Sequence, residues 1–465
     1  MTLENTTPEK IDAIQAAQRA YFKTGTTLDV KFRKQQLKLF LGAMEKWEKP
    51  LTDALWEDLH KSYEEAYLTE IGLVKGEIRH AIRKVASWAR RETRPTPLSC
   101  MPAMSYVVKE PLGQALIVSP WNYPVQLLLN PLVGAIAAGC TAVLKPSPYV
   151  PHVSSVIGQM IADTFDEKYI AVVQGNREVN KKLFDCRWDM IFFTGSPVLG
   201  RQVMEAAAKN LTPVVLELGG KSPCIVDKDA DLVKAAHRIA WGKTINSGQT
   251  CIAPDYLLIH KDVKDAFVAE FGRQVERLHG KDIKESRHYV RMVTDKAFER
   301  VSSYLSEGEI LYGGRTDAED RFIEPTLLGN VALDSKVMTE EIFGPVFPVI
   351  VLDDEGSSFG DKVIDFVTSR EKPLAFYYFG NKKEAWRVIR HTSSGGGCVN
   401  DTIMHIVNAE MPFGGVGNSG MGGYHHRDSF RAFTHERTIV QSATWIDLPF
   451  KYMPYGLFKL VKHLI

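Results

Sequence analysis

A cysteine at the end of the segment Gly248–Cys251 is the residue of this chain best suited to covalent chemistry. The thiolate form of cysteine attacks carbonyl carbons, and a nearby helix N-terminus or cation lowers the pKa of the thiol. A single cysteine in a loop is more often a small structural residue. The side chains that accompany Cys251 therefore decide between a nucleophile and a packed residue.

Glu217 and Asn122 are the two polar side chains that can serve such a nucleophile. Glu217 ends a predicted strand and two glycines follow it, a common place for functional residues in α/β proteins. Its carboxylate can take a proton from water, although a surface glutamate at a turn would look the same. Asn122 lies between two prolines that stiffen its loop, and a fixed amide N–H suits a developing oxyanion. The alternative for Asn122 is an ordinary turn asparagine.

Two further segments are typical of a nucleotide site. Gly195 and Ser196 stand where a predicted strand meets a predicted helix, so the free N–H groups of the helix start can bind a pyrophosphate. The usual G-x-G-x-x-G pattern is not present, and helix capping by Ser196 is the simpler interpretation. Glu341 can hydrogen-bond ribose hydroxyls and Phe343 can pack on a nicotinamide ring, whereas the alternative is a solvated loop with a core phenylalanine.

The elements that must position these residues follow two different patterns. Apolar residues at three- and four-residue intervals predict helices through most of the first hundred residues. From about Gln114, short apolar runs alternate with helical segments, which predicts a parallel, doubly wound sheet. A second alternating region, from about Leu232 to Asn400, predicts another α/β unit. The segments Ser105–Glu110 and Phe433–Gln441 are strand-like arms.

Composition excludes several classes of function. The formal net charge is only +1, which gives no reason to expect nucleic acid as a partner. The first ten residues hold no signal-peptide core, and no stretch reaches the ~20 apolar residues that span a bilayer. Six scattered cysteines without a CxxC pair indicate a reduced, cytoplasmic protein. His425 and His426 are adjacent in sequence, so we expect both at the surface and no metal site.

Taken together, and in their order and spacing along the chain, these motifs resemble the aldehyde dehydrogenase superfamily; the resemblance runs from about Gln15 to Gln441. The run Phe193–Pro223 and the short N-terminus are most similar to the class 3 branch, which includes fatty and aromatic aldehyde dehydrogenases. The resemblance implies an α/β fold with a Rossmann-type NAD(P)-binding domain, an α/β catalytic domain and a small β oligomerisation arm. The implied bounds are 1–92 and 112–217 for the cofactor domain, 218–424 for the catalytic domain, 93–111 and 425–445 for the arm, and 446–465 for a C-terminal tail.

The resemblance also assigns roles to individual residues. Cys251 matches the nucleophile, Glu217 the base that activates water, and Asn122 the side chain that binds the oxyanion together with the Cys251 N–H. Other matching positions line the cofactor and substrate sites. The cofactor positions are Trp121, Lys145, Ser147, Gly195, Ser196, Leu218, Glu341 and Phe343, and the substrate positions are Tyr123 and Phe413.

The implied reaction is oxidation of an aromatic or medium- to long-chain aldehyde to the acid, through a thioester on Cys251. The alternatives are an acylating enzyme that passes the acyl group to coenzyme A, and a catalytically silent binding protein. Glu217 argues against the first alternative because a water-activating base serves hydrolysis, and the presence of both nucleophile and base argues against the second.

One position departs from the family pattern and bears on cofactor choice. The family often places an acidic residue three positions after the lysine, and this chain has Pro148 there. The cofactor is therefore NAD or NADP, with weakened discrimination against the 2′-phosphate.

Assembly and membrane contact are two further expectations. The matching arms exchange between subunits, so we expect a homodimer. The tail Pro449–Ile465 mixes apolar and lysine residues, which fits either packing on a subunit or a weak contact with a membrane surface.

Overall fold

A computed structural model describes residues 3–456 and 458–462 of the chain. Its helices are α1 (Pro8–Lys23), α2 (Val30–Lys46), α3 (Glu48–Leu59), α4 (Tyr63–Ala66), α5 (Gly72–Trp88), α6 (Gln126–Ala138), α7 (Pro151–Thr164), α8 (Arg177–Asp185), α9 (Pro197–Ala208), α10 (Leu232–Thr244), α11 (Lys264–His279), α12 (Asp295–Ser303), α13 (Lys336–Thr339), α14 (Phe359–Thr368), α15 (Lys382–His391), α16 (His426–Ala432) and α17 (Phe458–Val461). Its strands are β1 (Glu92–Arg94), β2 (Ala103–Pro111), β3 (Gln114–Val118), β4 (Thr141–Lys145), β5 (Ile170–Val172), β6 (Met190–Gly195), β7 (Val214–Leu218), β8 (Pro223–Val226), β9 (Tyr256–His260), β10 (Glu309–Tyr312), β11 (Thr316–Asp317), β12 (Phe322–Ile323), β13 (Thr326–Gly329), β14 (Val346–Leu352), β15 (Ala375–Phe379), β16 (Gly396–Val399), β17 (Gly420–Met421) and β18 (Thr434–Ser442).

The helices before β1 confirm the helical pattern predicted for that part of the chain. At the start of α2, the Lys31 N–H donates to the Asp29 carboxylate at 2.9 Å, which caps the helix. Leu37, Phe40 and Val74 are fully buried, because the apolar stripe of α2 faces that of α5. Helix α5 also packs on α6, the helix that follows the Asn122 loop.

The first sheet has six strands in the order β17-β7-β6-β3-β4-β5, and β3 to β7 are parallel. The predicted parallel, doubly wound sheet is therefore confirmed. Strands β4, β6 and β7 end at Lys145, Gly195 and Leu218, and the Asn122 loop follows β3. Since the carboxyl ends of parallel strands meet at one edge, four of the predicted segments lie along that edge.

The second sheet has seven strands in the order β10-β13-β14-β9-β8-β15-β16, and only β10 runs antiparallel to its neighbour. Its central strands read as continuous apolar runs because both faces are covered, and Leu258 and Tyr377 are fully buried. The Cys251 loop lies between α10 and β9, directly before a central strand of this sheet.

A two-residue strand joins the late part of the chain to the first sheet. In β17, Gly420 pairs with Glu217 and Met421 pairs with Leu216, antiparallel to β7. A Cβ on Gly420 would overlap the carbonyl oxygen of Leu216, so this close approach needs glycine. The division into the predicted domains remains a prediction, and β17 shows that the segment before residue 424 contributes to both sheets.

The third sheet has the order β1-β2-β18. Strands β2 and β18 pair antiparallel over nine residues, from Thr434 opposite Pro111 to Ser442 opposite Ala103. Nearly every residue of β18 is exposed, and this strand is an edge of its sheet. Within the described residues, no helix has the length and apolar character needed to cross a membrane. Of the apolar tail residues, Leu457, Leu464 and Ile465 lie outside the part of the chain that the structure describes.

Candidate active site

The Cys251 loop is preceded by a turn with three consecutive left-handed residues. Asn246, Ser247 and Gly248 have φ values of 51°, 51° and 71°. Two of them are not glycine, so the backbone stores strain that the surrounding contacts must offset. Gln249 supplies such contacts: its side chain donates to the Arg291 carbonyl at 3.1 Å and accepts from the Val293 N–H at 3.0 Å. The loop is thus held rigidly just before the thiol.

We expect Gly248→Ala to reduce aldehyde oxidation by at least a hundredfold. A Cβ at this position would overlap the Gly344 carbonyl oxygen, so the thiol loop and the Glu341 loop would move apart. Gly280→Ala is the matched control, since Gly280 also has a positive φ of 89° but no described heavy atom lies within 4 Å of an added Cβ. Activity of both variants, normalised to folded protein by circular dichroism, checks the prediction. Equal losses in the two variants would attribute the effect to backbone strain alone.

Asn122 lies against the Cys251 loop, the position expected of an oxyanion donor. It is buried, and its amide Nδ2 donates to the Gln249 carbonyl at 3.0 Å. One amide hydrogen is used in this bond, which leaves the other for a ligand. The adjacent Tyr123 is within 2.7 Å of the Thr250 hydroxyl, oxygen to oxygen. The two loops therefore meet within two residues of Cys251.

Glu217, which is buried, and Glu341, which is half-buried, are two carboxyl groups close to the thiol. Glu217 is 3% exposed, and neither of its carboxylate oxygens has a hydrogen-bond partner among the described residues. Burial raises its pKa well above the usual range. Burial also raises the pKa of Glu341 to about 8. Glu341 lies directly on Gly219, where a Cβ would overlap its carboxylate. An unpartnered buried carboxyl group is costly and is typical of functional sites.

The thiol of Cys251 does not experience the lowered pKa that the sequence suggested. Burial raises its pKa, and the nearby Glu341 and Glu217 carboxylates raise it further. The described charged groups that face this thiol are acidic, so none of them supplies the cation that lowers a thiol pKa. The thiol is thus held in its neutral form until positive charge comes close to it.

Lys145, Ser147 and Ser196, three of the residues predicted to bind the cofactor, lie at the carboxyl edge of the first sheet. Each of them makes its hydrogen bond to a different neighbour. Lys145 is 1% exposed and donates to the Pro146 carbonyl at 2.7 Å, and burial lowers its pKa to about 8. The Ser147 hydroxyl accepts from the Tyr149 N–H at 3.3 Å. Ser196 caps α9 by accepting from the Leu199 N–H at 3.4 Å. This capping is the simpler role foreseen for Ser196, and it leaves the free N–H groups of the turn available.

Gly195, Leu218, Trp121 and Phe343 shape the space between these residues. A Cβ on Gly195 would meet the Phe193 ring, and Leu218 packs against Gly200 of α9. The rings of Trp121 and Phe343 meet edge to face with centroids 5.3 Å apart. Phe343 has a positive φ of 50°, an uncommon conformation for a bulky residue. The ring contact therefore joins the Asn122 loop to the Glu341 loop across the site.

A cleft between α8 and α9 is a candidate binding feature that sequence reasoning missed. It has a volume of about 570 Å³ and is lined by Phe184, Ser196, Val198 and Leu199 together with three cationic side chains. Val198 is 67% exposed, which is unusual for an apolar residue at a helix start. The cations are Arg177, Lys181 and Lys209, and two carboxylates, Asp185 and Glu205, also line the cleft. The exposed apolar residue after Ser196 was the available signal, and this cleft suits an adenine ring with phosphates nearby.

Phe413 lies in an aromatic cluster with Tyr424 and His425, and β17 lies between Phe413 and these two residues in the sequence. Its backbone pairs with Tyr424, with hydrogen bonds of 3.0 and 2.9 Å, and its ring meets the Tyr424 ring edge to face. The His425 ring stacks on Phe413 with centroids 5.7 Å apart. Phe413 is only 5% exposed, so it forms the wall of this region more than an open entrance.

The surface location expected for His425 and His426 is wrong. His425 is buried beneath Phe413, and burial lowers its pKa to about 4. His426 is half-buried and stacks on His80, with ring centroids 3.6 Å apart and planes 11° apart. Ligand atoms of His80, Glu410 and His426 lie within 4.8 Å of one another. An imidazole binds a metal in its own ring plane. Two stacked parallel planes share no such position, so this cluster is a ring stack.

Comparisons with known proteins show to which family and to which relatives this chain is similar. Residues 1–439 match the model of the Aldehyde dehydrogenase family. The chain is 44% identical over 448 residues to the 4,4′-diaponeurosporen-aldehyde dehydrogenase of Staphylococcus aureus, with 96% of each protein covered. It is 41% identical over 457 residues to the dimeric NADP-preferring aldehyde dehydrogenase of Canis lupus familiaris, covering 98% of this chain and 100% of that one. A solved structure, the substrate-bound state of Staphylococcus aureus AldH, superposes with a TM-score of 0.95 at 43% identity and covers 97% of this chain and 99% of its own.

Proposed function

This chain belongs to the aldehyde dehydrogenase family and oxidises aldehydes with NAD(P), and from that premise we propose that Cys251, Asn122 and Glu217 carry out the reaction. The observation that carries the proposal is the buried Glu217 carboxyl group, unpartnered among the described residues and close to the thiol. The residues of the first sheet's carboxyl edge fit a dinucleotide. Glu341 keeps one buried oxygen without a described partner, and the cleft between α8 and α9 is open beside Ser196.

The proposed sequence begins when the Cys251 thiol loses its proton to solvent water, and the resulting thiolate attacks the aldehyde carbon and forms a carbon–sulfur bond. The carbonyl oxygen becomes an oxyanion, which the Asn122 amide and the Cys251 backbone N–H stabilise. The carbon–hydrogen bond of this adduct then breaks and the carbon–oxygen double bond re-forms, which leaves a thioester; a bound oxidised nicotinamide would supply the hydride acceptor and a positive charge that favours the thiolate. Glu217 then takes a proton from water, the water oxygen attacks the thioester, and the carbon–sulfur bond breaks to release the acid.

An NAD(P)H absorbance assay over a panel of aldehydes, with and without coenzyme A, tests this proposal. Hydrolytic turnover without coenzyme A supports the role of Glu217, whereas strict dependence on coenzyme A would support the acylating alternative. The absence of turnover on every aldehyde would support a silent binding protein. We propose aromatic or medium- to long-chain aldehydes as substrates, because Phe413 and Tyr424 make an aromatic wall. A kcat/KM series over benzaldehyde and straight-chain aldehydes ranks them.

Cofactor choice follows from Pro148, and we expect NADP to be used at least as well as NAD. A carboxylate at this position would accept hydrogen bonds from the ribose hydroxyls and repel a 2′-phosphate. Like charges at ~4 Å interact by about 1 kcal/mol in water and about 4 kcal/mol at an intermediate dielectric. The absence of a carboxylate at position 148 therefore weakens discrimination against NADP by roughly ten- to a thousandfold. The buried Lys145 and the cations of the α8–α9 cleft, which include Arg177, add attraction for phosphate.

Measuring kcat/KM for both cofactors checks this expectation, and a preference for NAD above a hundredfold would contradict it. Pro148→Glu should shift the ratio towards NAD. Because Pro148 is half-buried at the end of the β4 loop, Pro148→Ala is the control for loss of the ring. An unchanged ratio in Pro148→Glu would show that another residue excludes the phosphate.

We further propose a homodimer that forms through β18. This strand is the exposed edge of its sheet, and Ile439 and Val440 are 38% and 57% exposed. An uncovered edge strand invites pairing, and a two-fold partner covers it. Light scattering at micromolar protein should give twice the chain mass of 52.2 kDa, and Val440→Lys should shift the mass towards one chain. A single-chain mass for the unaltered protein would contradict the dimer.

Two further proposals concern the cellular location of the protein and a membrane contact of its C-terminal tail. A cytoplasmic location suits the chemistry, because a reducing compartment keeps the Cys251 thiol free. We propose that the tail touches a membrane surface weakly, since Met453 and Phe458 are exposed near Lys451 and Lys459. Co-sedimentation with anionic vesicles of the full chain and of a chain ending at Asp447 tests the contact. Equal partitioning would leave packing as the role of the tail.

A further inference from the structure

A fully buried ion pair lies directly behind the Asn122 loop and takes no part in the proposed chemistry. The Lys61 Nζ donates to the Glu70 carboxylate at 2.7 Å, and both side chains are 0% exposed. Lys61 stands between α3 and α4, and Glu70 lies in a π-helical turn, Tyr67–Ile71, that precedes α5. Short π-helical turns inside helices occur frequently at functional sites.

Each charge of the pair also makes contact with the backbone of the loop. The Lys61 Nζ donates to the Asn122 carbonyl at 3.1 Å and lies 4.2 Å from the centre of the Tyr123 ring. The second Glu70 oxygen accepts from the Val125 N–H at 2.8 Å and from the Gln126 N–H at 3.4 Å. The pair therefore hydrogen-bonds to the backbone at two places: the Asn122 carbonyl and the N–H groups at the start of α6.

Asn246 closes the arrangement from the side of the nucleophile. Its Nδ2 donates to the Asn122 carbonyl and to the Gln249 carbonyl, both at 3.0 Å. The Asn122 side chain donates to that same Gln249 carbonyl. The Asn122 carbonyl therefore receives one hydrogen bond from Lys61 and one from the strained turn that leads to Cys251, so both ends of this residue are fixed.

Burying two charges is expensive, and a buried pair contributes to stability only when its remaining hydrogen-bonding capacity is also satisfied. Here the remaining hydrogen bonds of both side chains go to one segment, the Asn122 loop and the start of α6. Stabilisation of an oxyanion depends on donors held within a fraction of an ångström of the developing charge. We propose that Lys61 and Glu70 are positioning residues that hold the Asn122 amide in place for the oxyanion. This inference rests on the oxyanion role proposed above for Asn122.

The test compares a single variant that leaves one buried charge unpaired with a double variant that removes both charges. Lys61→Met alone leaves a bare buried carboxylate and is expected to lower the melting temperature. Lys61→Met combined with Glu70→Gln removes both charges, while the glutamine oxygen can still accept from Val125. We expect the double variant to recover the melting temperature but to lose at least tenfold in the rate of the NAD(P)H burst, with KM for the cofactor unchanged.

Lys75→Met is the matched control. Lys75 pairs with Glu48 at 2.8 Å in the same helical layer and is also largely buried. Among the described residues, neither of the two hydrogen-bonds to the Asn122 loop. We expect a lower melting temperature and a burst rate within twofold of the unaltered protein. This control separates the loss of a buried ion pair from the loss of contact with the loop.

A mutant cycle with Asn122→Ala provides the readout that a merely structural role would not move. If the pair acts through the Asn122 amide, adding Lys61→Met and Glu70→Gln to Asn122→Ala should cost less than twofold further in burst rate. A full additional tenfold loss would overturn the inference, as would an unimpaired burst in the charge-neutral double variant. An unimpaired burst in Asn122→Ala itself would refute the oxyanion role, and the inference would fall with it.

Discussion

Replacing Cys251 with alanine is expected to abolish NAD(P)H production while dinucleotide binding stays nearly unchanged. The thiol forms and breaks the covalent bond in the proposed reaction, so its loss removes the reaction path, and a residual rate below about a thousandth is expected. The dinucleotide is expected to contact mainly the first sheet and the α8–α9 cleft, which lie outside the thiol loop. Turnover and fluorescence titration with NADPH check the two halves of the prediction.

A matched thiol variant distinguishes chemistry from general sensitivity to cysteine loss. Cys100 is exposed and lies between β1 and β2, far from the loop in sequence, so Cys100→Ala should keep full activity. Mass spectrometry after incubation with aldehyde and NAD(P) should detect an acyl adduct in the Cys100 variant and none in the Cys251 variant. More than a few per cent of activity in Cys251→Ala would sink the nucleophile assignment.

Glu217→Gln is expected to separate the two halves of the reaction. Acylation does not need the base, so a burst of NAD(P)H of about one per site should remain. Hydrolysis of the thioester does need it, so steady turnover should fall by roughly a hundred- to ten-thousandfold, the range typical of lost acid–base catalysis. Stopped-flow absorbance measures both phases. If the burst disappears together with the slow phase, Glu217 acts before the thioester forms.

The pH dependence of the slow phase follows from the raised pKa of Glu217. A raised pKa keeps the carboxyl group protonated to higher pH, and only the carboxylate can accept a proton from water. The rate of deacylation should therefore increase as pH rises towards that pKa, and Glu217→Gln should lose this dependence. Glu341 and Cys251 face the same space and also have raised pKa values, so the burst phase is measured separately to follow the thiol. A flat slow phase in the unaltered protein would contradict the assignment.

The sequence predicted the parallel sheet and the edge at which the motifs gather, because β3 to β7 are short apolar runs bounded by turn residues. It also predicted that Asn122 and Cys251 belong to one site, although only the contact through Gln249 explains how they meet. These successes depend on local patterns, which a single chain displays directly.

Long-range contacts account for what sequence reasoning missed. The pairing of β17 with β7 involves two residues, too few to form a pattern. Lys61 and Glu70 look like exposed helix charges until the fold buries them together. The raised pKa of Cys251 comes from burial and from Glu341, which approaches the thiol from another part of the chain, and neither is visible in the sequence. His425 is buried only because the Phe413 segment folds over it.

The pairing of Gly420 with Glu217 has a consequence for synthesis on the ribosome. Strand β7 is complete long before Gly420 leaves the exit tunnel, so the first sheet must wait with one edge unpaired for much of translation. Such an edge is a template for pairing with other chains. The nascent chain should therefore depend on chaperones during this interval, and fragments that stop before residue 420 should aggregate. It also follows that the proposed base gains its final strand partner only near the end of synthesis, so an incomplete chain that reacts with an aldehyde at Cys251 would hold the thioester without efficient hydrolysis.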